Sequence, residues 1–173
     1  MLLDGLEITQ FTYFQQCGGV DLDPVAVELT YGLDRICAYL QNVDSVFDLR
    51  WSASEKYGTV RLAEEQQFSA YSFDYADGKI TRTLFDLHEQ ECARLLKLFA
   101  EVDDVARQRF PVRAAYDQCL KCSHLFNVLD SRGLISVTER ATLIGRVRQL
   151  ACGTARAYLE QRSEIPATAE VQA

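Results

Sequence analysis

The spacing of apolar residues changes once along this chain, and that change limits the fold more than any other feature. From Leu6 to Phe14 the residues are β-branched or aromatic and alternate at period two, the signature of a strand. One face would carry Leu6, Ile8, Gln10, Thr12 and Phe14, the other Glu7, Thr9, Phe11, Tyr13 and Gln15. Cys17-Gly18-Gly19 is a turn signal, and a second short strand runs from Val25 to Thr30, introduced by Pro24. At Tyr31-Gly32 the pattern gives way to a helix, Leu33 to Val43, with Ile36, Leu40 and Val43 on one face.

From Thr81 onward the period is helical. Leu84, Leu87, His88, Cys92, Leu95, Leu96 and Phe99 recur at the 3–4 spacing of an amphipathic helix between about Arg82 and Phe99. A second helix is expected from about Val112 to Asp130, stopping at Gly133, a suitable residue just past a helix end. The third opens on Ser136-Val137-Thr138-Glu139, a capping box. Its apolar stripe reads Val137, Ala141, Ile144, Val147 (or Arg148), Ala151, Ala155 and Tyr158. Between the two regimes, Ser52 to Gly58 reads as a loop and Glu64 to Tyr75 mixes helical and aromatic signals, with a turn at Asp77-Gly78. Strands first and helices afterwards make the fold class α+β.

Composition narrows the function classes. Of the 173 residues, 48% are apolar, enough for a core, and the net charge of −7 is the wrong sign for a freestanding nucleic-acid binder. No apolar run approaches the ~20 residues that span a bilayer, and Met1-Leu2-Leu3-Asp4 lacks the start of a signal peptide. The expected protein is soluble and cytoplasmic, with its six cysteines free.

The most informative stretch is Glu28-Leu29-Thr30-Tyr31-Gly32-Leu33-Asp34-Arg35. A strand delivers a carboxylate and a hydroxyl, Gly32 permits close backbone approach, and Arg35 sits in the first turn of the following helix. That layout suits a nucleotide site: a planar guanidinium stacks on a base and reaches a phosphate, and Glu28 can hold a metal or an ammonium. The plainer reading is a strand-to-helix turn with Gly32 at positive φ and Arg35 on the surface. The first strand carries polar groups on both faces (Glu7, Thr9, Gln10, Thr12, Gln15, Gln16), which points either to a concave site walled by aromatics or to an edge strand wetted on both sides.

These residues carry a resemblance. The runs LDGLEITQFTYFQQCGG and VELTYGLDRICAYLQNVDSVFDL resemble the α subunit of bacterial heterotetrameric glycine–tRNA ligase, and FDYAD, SHLFNVLDSRGLISVTER and RAYLEQR are similar to its helical C-terminal region. The likeness runs from Leu3 to about Ser163. It implies that ELTYGLDR stands in the place of motif 3 of class II aminoacyl-tRNA synthetases, with Arg35 as the ATP-binding arginine and Gly32 and Glu28 beside it. Asp34 stands where glutamate is usual. The resemblance also implies that the strand from Glu7 to Gln15 lines the adenylate pocket, with Glu7, Gln10, Thr12 and Thr30, and also Glu28, around glycine. ATP and Mg²⁺, the latter on Glu28, are the implied cofactors. The implied assembly is α2β2, with a β subunit that takes most of tRNA-Gly recognition. Glycine has no side chain, so selection would rest on acceptors for its ammonium and on bulky neighbours such as Phe11 or Tyr13 that exclude larger amino acids.

Two other signals compete. Cys119-Leu120-Lys121-Cys122-Ser123-His124 has metal-ligand types, but only His88, Cys92 and Cys152 could complete a tetrahedral site and none has the spacing, so core packing is the expectation. Arg132, Arg140, Arg146, Arg148, Arg156 and Arg162 face only Glu139 and Glu160 between residues 131 and 163, a segment charge of +4 that leaves −11 for the rest. They read as a tRNA or partner contact, or as a solvated helix face.

In the family, motifs 1 and 2 precede the glycine-site strand, whereas here Met1 comes just before it and Leu2 stands where an aromatic is usual. The expectation is therefore a C-terminal portion that lacks both motifs and is inactive alone. Residues 1–58 would be the end of the class II catalytic sheet with motif 3, 59–80 a connection, 81–163 a helical domain and 164–173 a disordered tail. The rival readings are a non-catalytic shortened paralogue that serves as an interaction module for the β subunit and, more distantly, a thiol or metal protein. A half sheet would also expose edges and apolar surface.

Overall fold

The structure, a computed structural model, describes residues 1–163; the expected tail lies outside them. It is α+β, with two small antiparallel sheets and a majority of helix. The chain forms two compact units. The first comprises Met1–Gln16 and Leu22–Tyr75, the second Cys17–Asp21 and the chain from Ala76 onward.

In the first unit, β1 (Leu2–Leu3) and β2 (Leu6–Glu7) pair with Leu2 opposite Glu7 and Leu3 opposite Leu6. Asp4 and Gly5 make the turn, both at positive φ, the conformation that a two-residue hairpin demands. β3 (Thr9–Cys17) pairs with β4 (Val20–Tyr31). β4 is longer than the sequence pattern suggests: it starts at Val20 and runs straight through Pro24. In a two-stranded sheet each strand has a free edge, so the missing proline N–H need not interrupt the ladder.

Helix α1 (Leu33–Gln41) ends two residues short of the expected Val43 because Asn42 adopts the left-handed conformation and its N–H bonds back to Tyr39. A short 3₁₀ turn, Val46–Asp48, leads through Leu49 to an isolated bridge between Arg50 and Lys56. Helix α2 (Tyr57–Ala70) then runs into a π turn, Tyr71–Tyr75, resolving the mixed signal there. This unit buries little: only Thr9, Ala38 and Leu49 are fully enclosed among its described residues. Phe11, Tyr13, Val27, Leu29, Tyr31 and Phe68 are more than half exposed. The exposed apolar surface expected of this region is present.

The second unit holds the main core. Helices α3 (Gly78–Glu101), α5 (Val112–Ser131) and α6 (Val137–Ser163) pack together, with the short α4 (Asp104–Gln108) between α3 and α5 in sequence. Phe85, Cys92, Leu95, Ala115, Cys119, Cys122, Leu129, Leu143 and Leu150 form the buried cluster. The helix ends follow their caps. Asp77 accepts from the Ile80 N–H at 2.8 Å and Asp103 from that of Ala106 at 2.8 Å. Gly133, at φ +64, closes α5 with its N–H on Asp130 and that of Leu134 on Leu129. At α6 the Ser136 N–H donates to the Glu139 carboxylate at 2.9 Å and the Glu139 N–H to the Ser136 hydroxyl at 3.2 Å, the expected reciprocal pair.

Two stripes differ in phase from the sequence reading. α3 buries Thr81, Phe85, Cys92, Leu95 and Phe99 and leaves Leu84 and Leu87 exposed. α6 buries Leu143, Leu150, Thr154 and Ala157, while Val137 is 87% exposed.

The turn of the β3–β4 hairpin belongs to this second unit. Gly18 and Gly19 take positive φ, and a methyl group on Gly18 would lie 2.5 Å from the Ala155 Cβ. Only glycine meets both demands there.

Candidate functional site

The strand-to-helix junction of the first unit encloses a cleft of about 260 Å³ lined by Glu7, Ile8, Thr9, Gln10, Thr30, Tyr31, Gly32, Asp34 and Arg35. Two hydrogen bonds build it. The Gly32 N–H donates to the Ile8 carbonyl at 2.9 Å, which fastens the end of β4 beside the start of β3. The Arg35 Nη1 donates to the Glu7 carbonyl at 2.6 Å, which ties the exposed guanidinium to the rim of the cleft. Gly32 is not at positive φ, as a simple turn would have it; its φ is −79. Its use is space: an added Cβ would stand 3.2 Å from the Arg35 Cδ, so the arginine stem folds back where a side chain would sit.

Five of the residues singled out in the sequence therefore meet in one cleft: Glu7, Gln10, Thr30, Gly32 and Arg35. Glu28 and Thr12 are not among its lining residues. Glu28 stands one step back along β4 on the same face as Thr30, whose hydroxyl donates to its carboxylate. Thr12 is half-buried on β3. Phe11 and Tyr13 form an edge-to-face pair with centroids 4.8 Å apart and do not line the cleft. The bulky walls are Tyr31 and Ile8, in place of the Phe11 and Tyr13 expected from the sequence.

Residues 1–163 match the family described as glycyl-tRNA synthetase alpha subunit. The chain belongs to that family. The glycyl-tRNA synthetases are aminoacyl-tRNA ligases, and an alpha subunit implies a beta subunit as its partner.

The thiol motif is core in this member of the family. Cys119 and Cys122 are buried, and their Sγ atoms lie 3.9 Å from the Val147 carbonyl and 3.7 Å from the Phe85 carbonyl. Burial pushes the Cys92 thiol up to about 11 and the Cys122 thiol up to about 12, so both are inert neutral groups. His88 Nδ1 is 2.6 Å from the Gln118 side chain. No group of three or more His, Cys, Asp or Glu side chains gathers to hold a metal among the described residues.

The arginine set is largely absorbed by the helical unit. Arg146 Nε donates to Glu89 at 2.7 Å and Nη2 to Asp86 at 2.6 Å, with the guanidinium 4.8 Å from the Phe85 ring centroid. Those partners raise its pKa further above the ordinary arginine value. Arg140 pairs with Asp130 at 3.1 Å, Arg132 reaches the Ala76 carbonyl at 3.3 Å, and Arg162 donates to the Tyr158 hydroxyl at 3.0 Å. Arg148 and Arg156 remain exposed and outside the ion pairs found among the described residues. No helix is long and apolar enough to cross a membrane among those residues.

Proposed function

We propose that this chain supplies the ATP- and glycine-facing side of a glycyl-tRNA synthetase active site and that it works in the cytoplasm in an α2β2 assembly with the β subunit. The observation that carries this reading is the convergence of Glu7, Gln10, Thr30, Gly32 and Arg35 on one cleft whose arginine is braced by the Glu7 carbonyl. Arg35 is the ATP-binding group, since a guanidinium can stack on the purine while its N–H groups meet phosphate oxygens. Gly32 admits the nucleotide close to the backbone. Glu7 and Gln10 on one wall and Thr30 on the other accept hydrogen bonds from the glycine ammonium, and Thr12 supports the same strand face. Tyr31 and Ile8 fill the space in which a larger amino acid would place its side chain.

The reaction is attack of a glycine carboxylate oxygen on the α-phosphorus of ATP. The bond to the bridging oxygen of pyrophosphate breaks, pyrophosphate leaves, and the glycyl group then passes to the 3′ end of tRNA-Gly, most of whose recognition falls to the β subunit. No protein nucleophile is needed; the chain's part is positioning. Mg²⁺ would come with ATP, whose phosphate charge it would offset. Glu28, which stands behind the cleft and accepts from the Thr30 hydroxyl, is the carboxylate we assign to hold it.

Among the described residues Arg35 is the single cation lining the cleft, against Glu7 and Asp34. Pentacovalent charge at the α-phosphate needs more than that, so the chain binds nucleotide but does not activate glycine on these residues alone. A direct test is equilibrium binding of ATP beside glycine-dependent ATP–pyrophosphate exchange, each with and without β subunit. Binding lost in Arg35→Ala, with no exchange by the unaltered chain, is the expected pair of results; absence of ATP binding by the unaltered chain sinks the nucleotide reading. The second reading, a non-catalytic interaction module for the β subunit, is favoured by the exposed apolar residues of β3 and β4. It predicts tight β-subunit binding with no nucleotide binding.

A further inference from the structure

The tip of the β3–β4 hairpin, which belongs to the helical unit, carries one thiol and rests on a helix that carries another. Cys17 ends β3 and is exposed, while Cys152 lies in the second half of α6 and is half-buried. Both are free, and neither lines the cleft. Gly18 and Gly19 lay bare backbone on the helix. A Cβ on Gly18 would lie 2.5 Å from that of Ala155, and one on Gly19 would lie 3.0 Å from the Cys152 Sγ and 3.7 Å from its Cβ. Cys17 is two residues from that contact, which keeps its α-carbon within about 7.6 Å of that of Gly19. Two cations flank Cys152. Arg148 and Arg156 stand four residues before and after it, the spacing that puts side chains on one helix face. Both are exposed and enter no ion pair found among the described residues.

We propose that Cys17 and Cys152 are a thiol pair oxidised by an anionic low-molecular-weight disulfide, of which glutathione disulfide is an example, and that the bond they form fastens the hairpin tip to α6. The Cys152 thiolate attacks one sulfur of the reagent. The small S–S bond breaks, one thiolate leaves and takes a proton from solvent, and a mixed disulfide remains on Cys152. Cys17 then gives up its proton, attacks the Cys152 sulfur and expels the second small thiol. Two protein thiols are oxidised and one small disulfide is reduced to two thiols, with no other reactant. Arg148 and Arg156 draw the carboxylates of the reagent to Cys152. A disulfide needs its Cβ atoms about 3.5–4.5 Å apart, and the two glycines are the residues that absorb the backbone change as Cys17 closes. In a reducing compartment such a bond is transient and follows the oxidant load.

The test treats the full chain with oxidised glutathione and maps its peptides by mass spectrometry without reduction. A cross-linked pair of peptides joining Cys17 to Cys152, separated again by dithiothreitol, is expected. The bond closes a loop of roughly 130 residues, so the oxidised chain should melt about 5–10 °C higher. Cys17→Ser should stop at glutathione held on Cys152 and show no such shift, and Cys152→Ser should form no cross-link. The double variant Arg148→Ala, Arg156→Ala should react several-fold more slowly with oxidised glutathione. It should react no more slowly with cystamine, a disulfide that carries ammonium groups instead. Absence of the Cys17–Cys152 peptide from the unaltered chain, whether or not glutathione becomes attached, overturns the pair, and so does a cross-link to Cys37 in its place. Equal glutathione rates in the unaltered chain and the arginine variant overturn the assignment of an anionic reagent.

Discussion

Replacing Arg146 by alanine should cost the helical unit about 2–3 kcal/mol, more than any ordinary surface ion pair. The guanidinium contacts both carboxylate oxygens of Glu89, reaches Asp86 and covers the Phe85 ring. Its side chain is 30% exposed and that of Glu89 25%, whereas Asp86 is 53% exposed. The Asp86 contact is therefore screened and contributes only tenths of a kcal/mol, on the order of 0.3. The forked pair with Glu89, partly withdrawn from water, is charge-assisted and contributes about 1.5–2 kcal/mol. The stack on Phe85 adds about 0.5–1 kcal/mol. For a chain of this size, about 2–4 °C of melting temperature follows each kcal/mol, so the loss should read as about 5–10 °C. Arg146→Lys, which keeps the charge but not the fork, should fall about midway. The assay is reversible urea unfolding followed by circular dichroism on Arg146→Ala, Glu89→Ala and the double variant. A coupling energy above about 1 kcal/mol between the two positions supports the reasoning. A loss below about 0.5 kcal/mol for Arg146→Ala would show that the network is an ordinary solvated pair and refute it.

Other outcomes follow from the same structure. At mildly alkaline pH the exposed Cys17 and Cys37 should react rapidly with a thiol reagent, while Cys92, Cys119 and Cys122 should wait for unfolding. Because burial raises the Cys92 and Cys122 thiols to about 11 and about 12, the native chain holds those protons after the unfolded chain has lost them; stability should be intact below the ordinary thiol value and fall as the pH climbs through 11 to 12. The hydrogen bonds from the Ser136 N–H and hydroxyl hold the Glu139 carboxyl below its usual value. The stability gap between the unaltered chain and Glu139→Gln should thus be open at neutral pH and close as the pH falls through that lowered value. Gly18→Ala should destabilise by about 2–4 kcal/mol, measured by thermal melting, since it combines a left-handed φ with contact against Ala155. Gly32→Ala should leave melting nearly unchanged yet weaken ATP binding several-fold by moving the Arg35 stem, a result to be read by titration calorimetry.

How much of this was legible in the sequence depended on how local the determinant was. The capping box at Ser136, the stop at Gly133 and the Gly18-Gly19 turn are interactions between residues a few positions apart, and each was readable. The strand-turn-strand-helix order was readable for the same reason, whereas Arg35 meets the Glu7 carbonyl across 28 residues, a contact that local spacing does not dictate. The stripe of α3 was not, because Leu84 and Phe85 offer two apolar faces one residue apart and only the partner helix decides between them. α2 was undecided because none of its residues is buried, so no stripe marks it. The partners of Arg146 lie 57 and 60 residues away, which made a segment charge of +4 look uncommitted when part of it is neutralised from another helix.

The turn of the long hairpin sits among the helices, while its two strands belong to the sheet-bearing unit. The chain therefore passes between the units at three places, not one. Nor are they interchangeable cassettes. A helical segment transplanted from Ala76 onward would arrive without Cys17–Asp21, leaving the Ala155 and Cys152 side chains bare where the two glycines lie. Recombination within the family would have to move the hairpin tip and α6 together, so substitutions at Gly18, Gly19, Cys152 and Ala155 should be inherited as a set.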